Sequence, residues 1–415
     1  PIYFCRILKK IGVMQINHCF HIYSFCILFL ILGQPAAQAQ AEDLGIFAFG
    51  HSLIDHRPPR VQTPSDETTI FHWMSLLAEA DDKNFSAGGK YGFLPQHAML
   101  PPFSQWAYDI VDPVWESDEE SFADSKISTV LITAGNFMQW QGPGEEYPSD
   151  PGVTPISATE TIVDWVLDQD PEYRIYIYEN WPDMSPFLSN GFPPDRTELD
   201  AYADYTRGDF HEWWIQYQDA LLQSRPAAEV RMIPVGPILH EIFDAFVPRD
   251  VDLQEFYEDD APHGRASLYF MAAMISYSAI CQKPLPGNFN PPTIIHSSIR
   301  DNYAGIAQLI WEELMDFNDA TGKSRVFFQT TSSEDIHHGI ELTLFPNPTN
   351  GMISIVNERP EINLRVYDQS GHLRLERDLA SGRTALQLPL SSGVYLLEFS
   401  DEQTGFVKSE KLMVR

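Results

Sequence analysis

Residues 44–52 read Leu44-Gly45-Ile46-Phe47-Ala48-Phe49-Gly50-His51-Ser52. An apolar run that breaks at a glycine is short enough to be a buried strand, and four further runs share its character: Phe85 to Ala87, Thr129 to Ala134, Arg174 to Glu179 and Val230 to Val235. Helical patterns lie between most of them, at Ile70 to Ala80, Thr159 to Asp168 and Tyr202 to Gln223. Ser267 to Ile280 and Tyr303 to Met315 follow the last strand. Strands alternating with helices predict an α/β domain whose parallel sheet is covered on both faces.

Ligands of such sheets bind beyond the carboxyl ends of the strands. Ser52, Gly88, Gly89, Asn136 and Trp181 each fall just after a predicted strand, so the reading gathers them on one edge. Roughly two hundred residues after Ser52, Asp260-Ala261-Pro262-His263 brings an acid and an imidazole onto one short loop. A serine hydroxyl is almost fully protonated at neutral pH and attacks an ester usefully only if a neighbouring imidazole takes its proton. The pattern Asp-x-x-His recurs at Asp335-Ile336-His337-His338, but only the earlier pair follows the fifth strand and precedes an apolar helix.

Gly50-His51-Ser52-Leu53 resembles the first block of the SGNH, or GDSL, hydrolases, and Asp260-Ala261-Pro262-His263 resembles their Asp-x-x-His block. Asn136, in Thr133-Ala134-Gly135-Asn136, is similar to the asparagine of their third block, and Gly88 or Gly89 fits the glycine of their second. The resemblance implies a flavodoxin-like, three-layer fold and ester hydrolysis through a serine nucleophile. It implies Ser52 as nucleophile, His263 as base and Asp260 as the orienting acid. The oxyanion donors would be the backbone N–H of Ser52 and of Gly88 or Gly89, with the Asn136 amide. His51 stands where the family has aspartate, and Asn136 follows Gly135 without the usual intervening residue. The α/β-hydrolase nucleophile elbow is excluded, because Ile54 occupies the position of its second glycine. With no convincing metal-ligand spacing and no Gly-rich phosphate loop, no metal or cofactor is expected.

The two ends have other tasks. His21 to Leu32 is almost wholly apolar, and Ala37-Gln38-Ala39-Gln40-Ala41 offers small-x-small cleavage sites. Residues 1–41 therefore read as a signal peptide with an upstream extension, too short in its apolar core for the roughly 20 residues of a stable membrane span. Cys5, Cys19 and Cys26 leave with that leader, so Cys281 cannot close an internal disulfide. The chain carries 27 Lys and Arg against 58 Asp and Glu, a net charge of −31. Such a surface repels nucleic acid and anionic membranes.

Residues 42–318 make the expected catalytic domain, 319–340 a linker, and 341–415 a small β-sandwich of alternating strands punctuated by turn residues. Within the last segment, Leu344-Phe345-Pro346-Asn347-Pro348-Thr349-Asn350-Gly351, Val366-Tyr367-Asp368-Gln369-Ser370-Gly371 and Leu390-Ser391-Ser392-Gly393-Val394-Tyr395 closely resemble the C-terminal sorting domain of type IX secretion substrates. That resemblance implies export through the periplasm to the outside, with the secretion machinery as partner.

Trp106, Trp140 and Trp181 follow the second, third and fourth strands on the edge expected to carry Ser52, where aromatic faces can stack on sugar rings or anchor loops. With secretion, they favour an acylated carbohydrate as the ester substrate. The alternative is a non-catalytic, secreted glycan-binding or cell-surface protein that keeps an SGNH scaffold.

Overall fold

The computed structural model describes residues 43–57, 66–136 and 141–328, and beyond them 343–345, 349, 352–368, 372–388, 390–391, 393–401 and 406–414. The leader and Trp140 lie outside these residues. Two compact units divide at Phe328 and Gln329.

The first unit is built on six parallel strands: β1 Asp43–Gly50, β2 Asn84–Tyr91, β3 Asp112–Pro113, β4 Thr129–Ile132, β5 Arg174–Glu179 and β6 Arg231–Pro234, in the order β3-β2-β1-β4-β5-β6. Side chains alternate across each strand, so Ile46 and Ala48 enter one apolar cluster while Phe47 and Phe49 enter the other. Both faces are covered. Helices α1 (Ile70–Ala80), α5 (Val235–Phe246), α6 (Ala266–Cys281) and α7 (Tyr303–Asp316) contribute to the first cluster. Helices α2 (Pro155–Gln169) and α4 (His211–Ser224) contribute to the second, and α3 (Arg196–Tyr205) precedes α4 in the chain. Helix α6 is buried from Ala266 to Ile280, which accounts for its lack of a polar face.

Strand order reverses between β1 and β4, the switch point at which an open parallel sheet leaves a crevice beyond its strand ends. Ser52 follows β1, and Asn136 follows β4.

Two boundaries differ from the sequence reading. Strand β2 does not end at Ala87 but runs in unbroken register with β1 to Tyr91, pairing Phe47 with Gly88 and Ala48 with Gly89. Residues 319–328, read as linker, pack on the first unit. Met232 N–H donates to the Arg325 carbonyl at 2.9 Å, the Arg325 guanidinium reaches Gln218 and Asp219, and Val326 is fully buried. Among the described residues, no helix is long and apolar enough to cross a membrane.

The second unit consists of β7 Thr343–Phe345, β8 Met352–Asp368, β9 Leu373–Gln387, β10 Gly393–Asp401 and β11 Phe406–Val414. Rather than two separate sheets, its described strands make one antiparallel sheet in which β8 pairs with β7, β9 and β10, and β10 with β11. Ile353, Ile355, Leu364, Val366, Leu397, Phe399 and Leu412 share one apolar cluster. The register of β8 against β9 shifts between Asn357 and Glu361, where Pro360 has no N–H to offer a ladder.

Candidate active site

The turn after β1 closes through the His51 carbonyl, which accepts from Ile54 N–H at 2.9 Å and Asp55 N–H at 3.2 Å. Gly50 permits it: a Cβ there would sit 2.7 Å from the Ile54 side chain and 3.1 Å from the Trp106 ring. His51 is buried. Its Nε2 lies 3.0 Å from the Ala134 carbonyl, and its Nδ1 is 3.3 Å from Leu53 N–H. Burial, only partly offset by the Ala134 bond, lowers its pKa to about 4. The ring is therefore neutral at pH 7, donating from Nε2 and accepting at Nδ1. It pins the Ser52 turn to the end of β4.

His263 arrives on a loop closed by a bridge between Tyr257 and Gly264, with Glu258 N–H donating to the His263 carbonyl at 2.8 Å. Its Nε2 lies 2.9 Å from Ser52 Oγ. The acid at Nδ1 is Asp259, not the expected Asp260: its carboxylate oxygens stand 3.0 and 2.9 Å from the ring nitrogen. The reason is local. Asp259 Oδ1 also accepts from Ala261 N–H at 3.1 Å and His263 N–H at 3.0 Å, so the carboxylate folds over the turn it starts. Asp260 gives its carbonyl to Met184 N–H, and its carboxylate does not reach His263. With Asp259 holding the Nδ1 proton, the Nε2 lone pair faces the hydroxyl.

Several side chains brace this pair. Trp181, fully buried, donates from Nε1 to the Pro262 carbonyl at 2.8 Å. It anchors the His263 loop and is not available as a sugar platform. Tyr269, on α6, donates its hydroxyl to the Ser52 carbonyl. Burial raises its pKa well above the usual phenol value, so it keeps that proton. The Asn136 side chain directs an amide hydrogen to the Ala261 carbonyl at 3.3 Å, and its backbone carbonyl accepts from Asp183 N–H.

Neither Gly88 nor Gly89 stands at the strand end as an oxyanion donor, since both lie within the β1–β2 ladder. Gly89 is a glycine because Trp106 covers it: a Cβ would fall 2.5 Å from the indole. The first residue past β2 is Gly92, whose N–H donates to the Gly50 carbonyl at 2.9 Å. Ser52 N–H has no partner among the described residues.

An open depression of about 540 Å³ lies over the pair, lined by Ser52, His263, Asp55, His56, Arg57, Tyr91, Gln105 and Trp106. Arg57 grips Asp55 through two 2.7 Å bonds and reaches Asp66 at 3.0 Å. Trp106 is only 7% exposed, whereas Tyr91 is 45% exposed and offers the larger aromatic face. Sequence reasoning missed His56, Arg57, Tyr91 and Gln105. The first two follow Ser52 closely enough to have been found on a turn at the same edge, but nothing in their spacing marks the others.

Residues 343–415 match the family described as a secretion system C-terminal sorting domain. No curated protein matches the chain. Among solved structures, PorZ of Porphyromonas gingivalis, a surface component of the type IX secretion system, is 17% identical with a TM-score of 0.17. The match covers 18% of this chain and spans only 11% of that protein. A DUF4886 family protein from Bacteroides uniformis is 12% identical with a TM-score of 0.42, over 66% of this chain and 96% of its own. The sorting domain marks this protein for export by the type IX machinery to the cell surface or the extracellular space.

Proposed function

We propose that the first unit is a serine esterase acting on acylated carbohydrate outside the cell. One observation carries this reading: Ser52 Oγ, His263 Nε2, His263 Nδ1 and the Asp259 carboxylate form an unbroken hydrogen-bonded relay at a sheet-edge crevice. As Ser52 attacks the ester carbonyl, its proton passes to His263 Nε2, and Asp259 stabilises the resulting imidazolium. Ser52 N–H and the second Asn136 amide hydrogen are the donors proposed for the oxyanion. His263 then returns the proton to the departing alcohol, and water releases the acyl group by the reverse path. The exposed Tyr91 ring, with the polar groups of Gln105 and Arg57, supports a sugar as the alcohol portion.

Labelling by a fluorophosphonate probe tests the nucleophile. Wild type should label, and Ser52→Ala and His263→Ala should not. A screen of aryl and acetylated-sugar esters then tests the substrate. The placement of Gly88 and Gly89 inside the β1–β2 ladder, with the Gly92 N–H given to the Gly50 carbonyl, favours a second reading, a glycan-binding protein on the same scaffold. Glycan binding by a protein that neither labels nor releases acyl groups would establish that reading instead.

A further inference from the structure

The His263 ring has a second imidazole lying flat against it. His56 stacks on His263 with ring centroids 3.8 Å apart and planes 11° from parallel. The stack is built from both sides. His56 N–H donates to the Thr68 carbonyl at 3.1 Å while the Thr68 hydroxyl donates back to the His56 carbonyl, so the segment is tied to the chain entering α1. On the loop side, adjacent acids lie by the two rings, one within hydrogen-bond range and one beyond it. Asp259 holds His263, and the buried Glu258 carboxylate lies 3.8 Å from His56 Nε2.

We propose that His56 is a positioning residue for His263, its ring face fixing the plane in which Nε2 meets Ser52. This rests on the esterase reading and deepens it. Asp259 and Ser52 hold the His263 ring at Nδ1 and Nε2, but both bonds lie at the ring edge and leave the ring able to tilt about the line that joins them. A parallel face at 3.8 Å removes the tilt, because ring contact is lost as the planes part. Near-attack geometry tolerates little misplacement, so a freed ring lowers turnover rather than substrate affinity.

The test uses the full-length protein as His56→Ala, which removes the face, and His56→Phe, which restores it without a titrating nitrogen. Two readouts are followed, aryl ester kinetics and the downfield proton resonance of His263 Nδ1–H, assigned by its loss in His263→Ala. His56→Ala should lower kcat by roughly 100-fold with KM little changed, and broaden or shift the resonance. His56→Phe should recover most of the rate and the wild-type resonance. A matched melting curve shows that both variants are folded. Wild-type kcat and an unmoved resonance in His56→Ala would overturn the proposal, as would His56→Phe that is folded yet no better than His56→Ala. If wild type hydrolyses nothing, the esterase reading fails by itself, and the resonance still decides whether His56 orders the ring.

Discussion

Substituting two adjacent acids separates the site's geometry from the sequence pattern. In Asp259→Asn the side-chain carbonyl can keep the place of Oδ1, which accepts from Ala261 and His263 N–H, so the turn retains both of its caps. The amide nitrogen then occupies the place of Oδ2, 2.9 Å from His263 Nδ1. With Oδ1 already accepting from two backbone N–H groups, a donor at the nearer position favours an accepting Nδ1, the ring proton moves to Nε2, and the Ser52 hydroxyl loses its base. The same tautomer trap in serine proteases costs about 10,000-fold in kcat, or about 5.5 kcal/mol at 1.36 kcal/mol per tenfold. Asp260→Asn leaves every bond to His263 in place and should stay within a few-fold of wild type. The assay is kcat/KM on an aryl acetate, paired with the rate of fluorophosphonate labelling and a thermal melt. Asp259→Asn should melt near wild type while losing activity. A collapse in Asp260→Asn with Asp259→Asn near normal would refute the assignment, and so would a folded Asp259→Asn within tenfold of wild type.

The other expectations follow from neighbouring contacts. Asn136→Ala should lower kcat about 100- to 1,000-fold, the typical effect of losing one oxyanion donor, and a near-normal rate removes Asn136 from the chemistry. Trp181→Phe loses the bond to the Pro262 carbonyl and should destabilise the first unit by about 1 kcal/mol in urea, with a fall in kcat as the His263 loop loosens. Unchanged unfolding would show that the loop is held elsewhere. Tyr91→Ala should raise KM for an acetylated sugar but not for an aryl acetate, and equal effects on the two would remove Tyr91 as a sugar platform. Burial also lowers the pKa of His240, from 6.5 to about 3, so below pH 6.5 the unfolded chain takes up a proton that the folded one refuses. Its share of stability is complete above pH 6.5 and falls by about 2 kcal/mol by pH 5. In His240→Phe the loss between pH 7 and pH 5, measured by urea unfolding, should shrink by that amount, and an unaltered loss would contradict it.

What the sequence revealed of this site depended on the distance over which each feature is determined. The sheet was legible because β1 fills both of its faces from consecutive positions, Ile46 and Ala48 to one side and Phe47 and Phe49 to the other. Ser52 and His263 were legible because each stands in a short block with a place in the chain, the hydroxyl just past β1 and the imidazole on the loop that enters the apolar helix α6. That Asp259 and not Asp260 holds His263 was not, because it turns on which carboxylate folds back over the loop. Pro262 lacks an N–H, so the turn's amides lie at 261 and 263, and the acid that caps both is Asp259. That local signal was present in the sequence, two and four residues from the donors, and was outweighed by a family spacing. Gly88 and Gly89 erred in the opposite direction. Glycine is depleted from strands, so the pair read as a loop, yet the ladder continues through them, and at Gly89 a Cβ would fall 2.5 Å from both the Ala48 carbonyl and an indole seventeen residues later. No spacing records such a contact. The same holds for the stack of His56 on His263, which joins two loops more than two hundred residues apart and becomes visible only when α6 and the entry to α1 are packed together.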